Sequence, residues 1–463
     1  MTEYTSAPKR AYIPVLVLAA VTLSYAGCGR DENLMEPYPD GGTDAQEPEA
    51  SVDALPPDGP PTDTWVCTEG TLRCRNAQVQ ICSNGEFVTQ EICEFGCISS
   101  PEPHCGKPVF SNGITMEDME AGTTPFSPGV GNTVIDTDNI SITGPDAPPD
   151  GSYEYRIVDR ASQGLPHLLI LSFQEISIPE GANVRVEGEK PLAMLARDRI
   201  TVEGLLDVGV AADGSPGPGG FPGGLDGAAG MGPGKGLQGN VGSLNFKEGG
   251  GGGAGFGAQG GNGGSAGTTS GGEGGNGYGN PQLNPLIGGS GGGSGGRGAG
   301  STPGRGGSGG GAIMLASLDT VRVSLSGVIT SGGGGGEGGE TQEAGGGGGS
   351  GGGVLFAAPV VQIMGIVAVN GGGGGGAETT LPEHGENGQP SSSEAAGGTN
   401  GGGGGAGVVS TGESGEETVS HGGGGGGATG RIRIESRDTP NLTGVLSPSQ
   451  GTTALSIGTL AVE

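Results

Sequence analysis

The chain has 463 residues, of which 111 are Gly; 32% are hydrophobic, 4% aromatic, and the net charge at pH 7 is −30. So little apolar material leaves only a thin, local core, well below the ~45–50% apolar content of ordinary domains. The acidity repels phosphate backbones and excludes nucleic acid as a natural partner.

Lys9 and Arg10 end a short basic segment, and 11–23 (AYIPVLVLAAVTL) is apolar but too short to span a bilayer. Ala26 and Gly27 then precede Cys28, with Gly29 after it. This is the grammar of a secretory signal, 1–27, and the Ala-Gly-Cys junction resembles a bacterial lipobox, with Tyr25 where such signals carry Leu. The resemblance implies a lipid-modified Cys28 as the mature N-terminus, a membrane partner through the anchor, and sorting to the outer membrane or cell surface. Cleavage after a small residue without lipidation, or an uncleaved anchor, is the alternative. Residues 28–64 are rich in Pro and acid, cannot offset their ordering entropy by burial, and read as an extended tether.

Six cysteines follow within 65–106: Cys67, Cys74, Cys82, Cys93, Cys97 and Cys105. An even cluster in an exported chain predicts three disulfides of undetermined pairing, not a zinc site, because paired C-x-x-C knuckles are missing and only His104 lies nearby. Asn84-Gly85 between 79–83 and 86–89 predicts a type I′ hairpin. Trp65, the only tryptophan, reads as the cover of a tiny core or a platform for a sugar. The cysteine spacing resembles a module of myxobacterial surface lipoproteins.

Residues 107–164 contain short apolar runs at 134–136, 140–142 and 153–158 and read as a lead-in that caps a β region. From 165 to 463 the chain is a glycine-rich β domain. Strands are expected at 168–173, 175–178, 183–187, 192–196, 199–203 and 205–208. The phrase around Leu192-Ala193-Met194 recurs near Ala312-Ile313-Met314, more loosely at 354–363, and again at 431–439. Each copy reads strand, turn, strand, Gly, strand. An alignment by type places Met194, Met314 and Phe356 in one core. The fold class is all-β: a β-solenoid or, failing that, a two-sheet β-sandwich with long glycine-rich inserts. The inserts span 213–311, 332–353 and 371–430. Ordering free energy and backbone hydrogen bonding nearly cancel for glycine, which predicts polyproline-II-like order against the β core and disorder in the wider loops.

No catalytic residue, cofactor site or metal site is assigned. Gly288-Gly289-Ser290-Gly291-Gly292 satisfies G-x-S-x-G through composition alone, and Gly234-Lys235-Gly236 lacks the Ser or Thr of a P-loop. His104, His167, His384 and His421 lie far apart and read as surface or turn residues. Asp198, Asp319 and Asp438 occupy equivalent turns, where Asp commonly bonds backbone N–H groups. The glycine-block pattern resembles glycine-rich surface lipoproteins of myxobacteria and relatives, PE-PGRS-like in composition only. That resemblance implies a non-enzymatic structural, adhesive or envelope-coating role, with surface polysaccharide or extracellular matrix as partners. The alternative is a carbohydrate-active β-helix enzyme, a polysaccharide lyase or hydrolase, using Asp198, Asp319 and Asp438.

Overall fold

The computed structural model describes residues 67–463 apart from 243–246, 300–301, 341–342 and 379–380. The signal, Cys28, the tether and Trp65 lie outside the described residues. What is described is almost all β, with a one-turn-and-a-half helix at Met116–Ala121 and a short 3₁₀ turn at Ala161–Gln163. No helix among the described residues is long and apolar enough to cross a membrane.

The cysteine segment begins with an antiparallel sheet of Leu72–Arg75, Gln78–Ser83 and Glu86–Ile92. Asn84 (φ 56°) and Gly85 (φ 83°) form its tight turn, both in the left-handed region that a type I′ turn needs. The disulfides are Cys67–Cys82, Cys74–Cys97 and Cys93–Cys105, with Cα–Cα distances of 5.8, 5.5 and 4.9 Å. Pro108–Val109 pairs with the last strand, Ala461–Val462.

Three further sheets are built by a chain that visits each in turn. Leu168–Phe173, Leu192–Ala196, Ala312–Ser317, Gly353–Ala358 and Arg431–Ser436 lie side by side, all parallel, in the first. Ile176–Ile178, Arg199–Val202, Thr320–Val323, Val360–Ile363 and Asn441–Leu442 make the second. Ala182–Glu187, Leu205–Asp207, Val328–Thr330, Ile366–Ala368 and Val445–Ser447 make the third. The N-terminal edge of this stack is met by Glu154–Val158 on the first sheet, Phe126 on the second and Gly131–Asp136 on the third. Leu455–Gly458 pairs beyond Arg431–Ser436 at the other edge.

Period two decides what points inward. Val184, Val186, Ile200, Val202, Val321, Val323, Val361 and Ile363 alternate with exposed or half-buried partners and fill the interior, together with Leu171, Met194, Leu315, Phe356 and Ile434. Four strands of the first sheet, Leu168–Phe173, Leu192–Ala196, Ala312–Ser317 and Gly353–Ala358, are buried on both faces, their outer side covered by Phe256, Leu283, Leu286 and Ile287 of the first glycine insert and by Phe110, Ile114 and Met119. The outward residues mix small and large side chains: Ala193, Ala312, Ala316 and Ala357 beside Ile170, Leu195, Met314 and Leu355. Here the sequence alignment needs correction. Met194 pairs with Leu315, whereas Met314 pairs with Ala193. Met194 and Phe356 share the interior, and Met314 faces the insert. A shift of one residue exchanges the two faces of a strand.

A glycine column marks the corner before the third sheet. Val328, Ile366 and Val445 donate to the carbonyls of Gly204, Gly327 and Gly365 at 2.9 Å each. A Cβ at Gly327 would stand 2.1 Å from the Val202 oxygen, and one at Gly365 2.1 Å from the Gly327 oxygen. The recurring Gly of each copy is therefore a requirement for close stacking.

All three long inserts leave from the third sheet, after Leu205–Asp207, Val328–Thr330 and Ile366–Ala368, and return to the first. They emerge from one corner of the stack and can bond to one another. The expectation of disorder in the wider loops is corrected: the described parts of all three inserts bond to each other through backbone N–H and C=O groups along most of their length.

Candidate metal centre at the head of the glycine strands

Along 250–255, successive amides point to three different neighbours. Gly250 and Gly253 donate to Gly264 and Gly261 (2.9 and 2.8 Å), Gly251 and Ala254 to Gly345 and Gly348 (both 2.9 Å), and Gly252 and Gly255 to Leu237 and Gly234 (both 2.8 Å). The period of three is that of a polyproline-II helix, which has no internal hydrogen bonds and presents every backbone group to its surroundings. Strands approach so closely that a side chain has no place between them. A Cβ at Gly251 would lie 2.1 Å from the Gly293 oxygen. The few serines in this interior use their hydroxyls within it. Ser290, at the centre of the G-x-S-x-G match, is fully buried, and its hydroxyl accepts from the Gly234 N–H at 3.0 Å.

Three strands, one per insert, run parallel and bond in a ring. Gly251 donates to Gly345 (2.9 Å), Gly345 to Gly422 (3.1 Å), and Gly422 to Glu248 (2.8 Å). One turn on, Ala254 donates to Gly348 (2.9 Å), Gly348 to Gly425 (2.8 Å), and Gly425 to Gly251 (2.9 Å). This register fixes where the three glycine runs begin. Glu248 precedes Gly249, Glu343 precedes Ala344-Gly345, and His421 precedes Gly422. The last side chains before the runs therefore meet. One ligand-capable atom from each of Glu248, Glu343 and His421 lies within 4.8 Å of the others.

The group is held from several sides. Glu248 is 1% exposed; its N–H donates to Ser420 at 3.1 Å, and its Oε1 accepts from the Gly298 N–H at 2.6 Å. Its Oε2 is buried with no hydrogen-bond partner, as is Nδ1 of His421. The Glu343 N–H donates to the Glu340 carbonyl at 3.0 Å. The His421 N–H is shared by Thr418 Oγ1 (3.1 Å) and Glu378 Oε1 (3.3 Å). Burial, then a side-chain hydrogen bond with Glu248, then the Glu248 and Glu340 charges, push the Glu343 carboxyl up to about 8. Two carboxylates and an imidazole this close, one of them fully buried, call for either a shared proton or a cation between them.

The aspartates singled out from the sequence follow a different pattern. Asp198, Asp319 and Asp438 sit at the corner between the first and second sheets. The Asp198 N–H donates to Gln174 (2.8 Å), the Asp319 N–H to Ser317 Oγ (3.0 Å), and the Asp438 N–H to Pro359 (3.0 Å). Pro359 stands between Asp319 and Asp438 in the stack, so the three acids do not form one cluster. Arg437 hydrogen-bonds Asp438 and holds its carboxyl below the usual range. Among the histidines, His104 faces the Glu102 carbonyl (2.6 Å), His167 lies 3.3 Å from Asp159, and His384 Nδ1 accepts from the Gly338 N–H (3.2 Å). His421 departs from the surface-or-turn expectation by joining the two glutamates.

A groove of about 920 Å³ opens between the third sheet and the first insert, lined among others by Arg185, Glu187, Glu189, Phe221 and Met231. Arg185 is committed there to Asp207 at 2.7 Å and to the Gly209 carbonyl at 2.7 Å.

Sequence reasoning missed the Glu248–Glu343–His421 group because the residues are 95 and 78 positions apart and no motif joins them. The available signal was positional, a titratable residue at the start of three long glycine runs. No protein-family model, curated protein or solved structure matches this chain.

Proposed function

We propose that the chain is a non-enzymatic cell-surface lipoprotein with a structural, adhesive or envelope-coating role, anchored through Cys28 and held off the membrane by the acidic tether. In this reading the β region is a β-solenoid of three strands per turn, and the cysteine segment is a separate disulfide-rich module. The family resemblance noted above, to glycine-rich surface lipoproteins, belongs to the same proposal. Surface polysaccharide or extracellular matrix would be the partner.

The observation that carries the proposal is the exclusion of side chains from the glycine interior. The glycine interior leaves no room for a substrate flanked by an acid, a base and a nucleophile. It can carry side chains on its turns, and there large apolar groups stand in solvent: Leu225, Met231, Val408, Val409 and Val419 are 55, 57, 78, 52 and 74% exposed. Apolar side chains on a rigid, acidic support suit contact with another surface better than catalysis. The test is genetic and physical together. Cells lacking the chain are expected to lose adhesion to matrix, with recovery by the wild type and not by Cys28→Ser. Turnover of a polysaccharide by the purified chain, abolished in Asp198→Asn or Asp319→Asn, would replace this reading with the enzymatic one.

A further inference from the structure

We propose that Glu248, Glu343 and His421 bind one divalent transition-metal ion, of the zinc class, which ties together the heads of the three parallel glycine strands. The proposal stands apart from the surface role and does not need it.

Each insert contributes one ligand, and the register of the bundle brings the three together without any other contact between these side chains in sequence. Glu248 is the anchor. Its backbone is bonded on both sides, to Ser420 and Gly422, and Gly298 fixes one carboxylate oxygen. The other oxygen is buried and unpartnered, as is the His421 Nδ1. Polar atoms in that condition cost on the order of 1–3 kcal/mol each unless something binds them.

The donor set selects among cations. Calcium and magnesium take oxygen ligands, and an imidazole in a site of three protein donors disfavours them. Two carboxylates and one imidazole match the nitrogen and oxygen preference of zinc and its neighbours, and their two negative charges balance a divalent ion. Tetrahedral bonds of ~2.0–2.2 Å place ligand atoms roughly 3.4 Å apart. The observed spread of 4.8 Å closes to that with side-chain movement of about an ångström by Glu343 and His421, both only half-buried. Three protein ligands leave a fourth position for water.

Such an ion would act where the lattice is least supported. The β stack holds the opposite end of these strands, at Phe256, Gly353 and Arg431, eight to ten residues after the heads. Binding across three inserts adds a side-chain clasp to the backbone ring that already joins the strands.

Isothermal titration of the chelator-treated full-length chain with zinc chloride tests the inference, with calcium chloride as the comparison. One zinc per chain is expected, with calcium at least about 100-fold weaker. Glu343→Gln and His421→Gln should each weaken zinc by at least about 100-fold, the upper end of what loss of an outer-shell partner costs. His384→Gln, which leaves the group intact, should not. Both carboxamide variants replace half-buried groups, and the melting curve of each metal-free variant should match that of the metal-free wild type. Equal zinc affinity in wild type and His421→Gln, or calcium binding as tight as zinc, would overturn the proposal and leave a proton shared by the two glutamates as the account of the site. A rise in the wild-type melting temperature on adding zinc, absent in both variants, is the corroborating readout; a rise in all three would place the ion elsewhere.

Discussion

The β stack and the glycine lattice solve one problem by opposite means. In the stack, backbone groups pair in two directions within a sheet, and side chains such as Phe173, Met194 and Phe356 fill the space between sheets. In the lattice, backbone groups pair in three directions, and apart from a few small side chains such as Ser290 only backbone fills the space. The stack gains from apolar burial at roughly 25 cal/mol per Å². The lattice gains little from burial and must offset the large conformational entropy of glycine with hydrogen bonds worth about 0.5–1.5 kcal/mol each. A lattice so poor in burial needs outside support, and every insert begins and ends on a strand of the stack. Three inserts leaving one corner are held parallel at fixed spacing, so much of the cost of bringing them together is met by the stack.

Substitutions that act on one region and spare the other sharpen this comparison. The largest effect is expected from Phe356→Ala, which empties a fully buried position between sheets. It should cost about 3–5 kcal/mol, and both regions should melt together at lower temperature, since the lattice depends on the stack. Gly251→Ala comes next. Its Cβ would meet the Gly293 oxygen at 2.1 Å, and overpacking of this kind costs about 1–3 kcal/mol or more. Circular dichroism of the β region should change little, while proteolysis within the inserts should speed up. A Gly251→Ala chain that unfolds as a single unit would mean that the lattice supports the stack as much as the reverse.

A smaller, pH-dependent effect is expected where the Met116–Ala121 helix meets Glu154–Val158. Burial opposes ionisation of Asp118, but hydrogen bonds from Arg156 and from Thr115, together with the Arg156 charge, outweigh it and hold the carboxyl below its usual value. A depressed carboxyl contributes stability that is full above the unfolded pKa near ~4 and is lost as pH falls through the lower folded value. Arg156→Met should therefore destabilise the chain by about 1 kcal/mol at neutral pH, because Arg156 is 40% exposed and solvent screens the pair. That difference should shrink below pH 4. The smallest effect is assigned to Leu325→Ser, on a side chain 83% exposed, which should stay within about 0.5 kcal/mol of wild type. Urea melts of the four variants at neutral and acidic pH check all of these.

Much of the stack was legible in the sequence, because period-two patterns and one recurring glycine are local signals. The strands at 168–173 and 192–196 coincide with Leu168–Phe173 and Leu192–Ala196. The register of Met314 was not legible, since one extra residue between otherwise similar phrases can be absorbed in the strand or in the turn, and only pairing decides which. Order in the inserts was not legible either. A run of glycine looks the same whether it is solvated or bonded on three sides, and what separates the two is the position of the other runs. For the same reason the candidate metal group was hidden: Glu248, Glu343 and His421 acquire a common address only through the parallel register of three distant runs.

Native-state hydrogen exchange on the glycine runs 248–257, 344–352 and 422–430 reads out whether their amides are bonded to neighbouring runs. A three-way bonded lattice predicts that amides of Gly251, Gly348 and Gly425 exchange slowly, with protection approaching that of Leu315 and Phe356 in the stack. Exchange of these glycine amides at the rate of an unstructured chain, beside a protected stack, would contradict it.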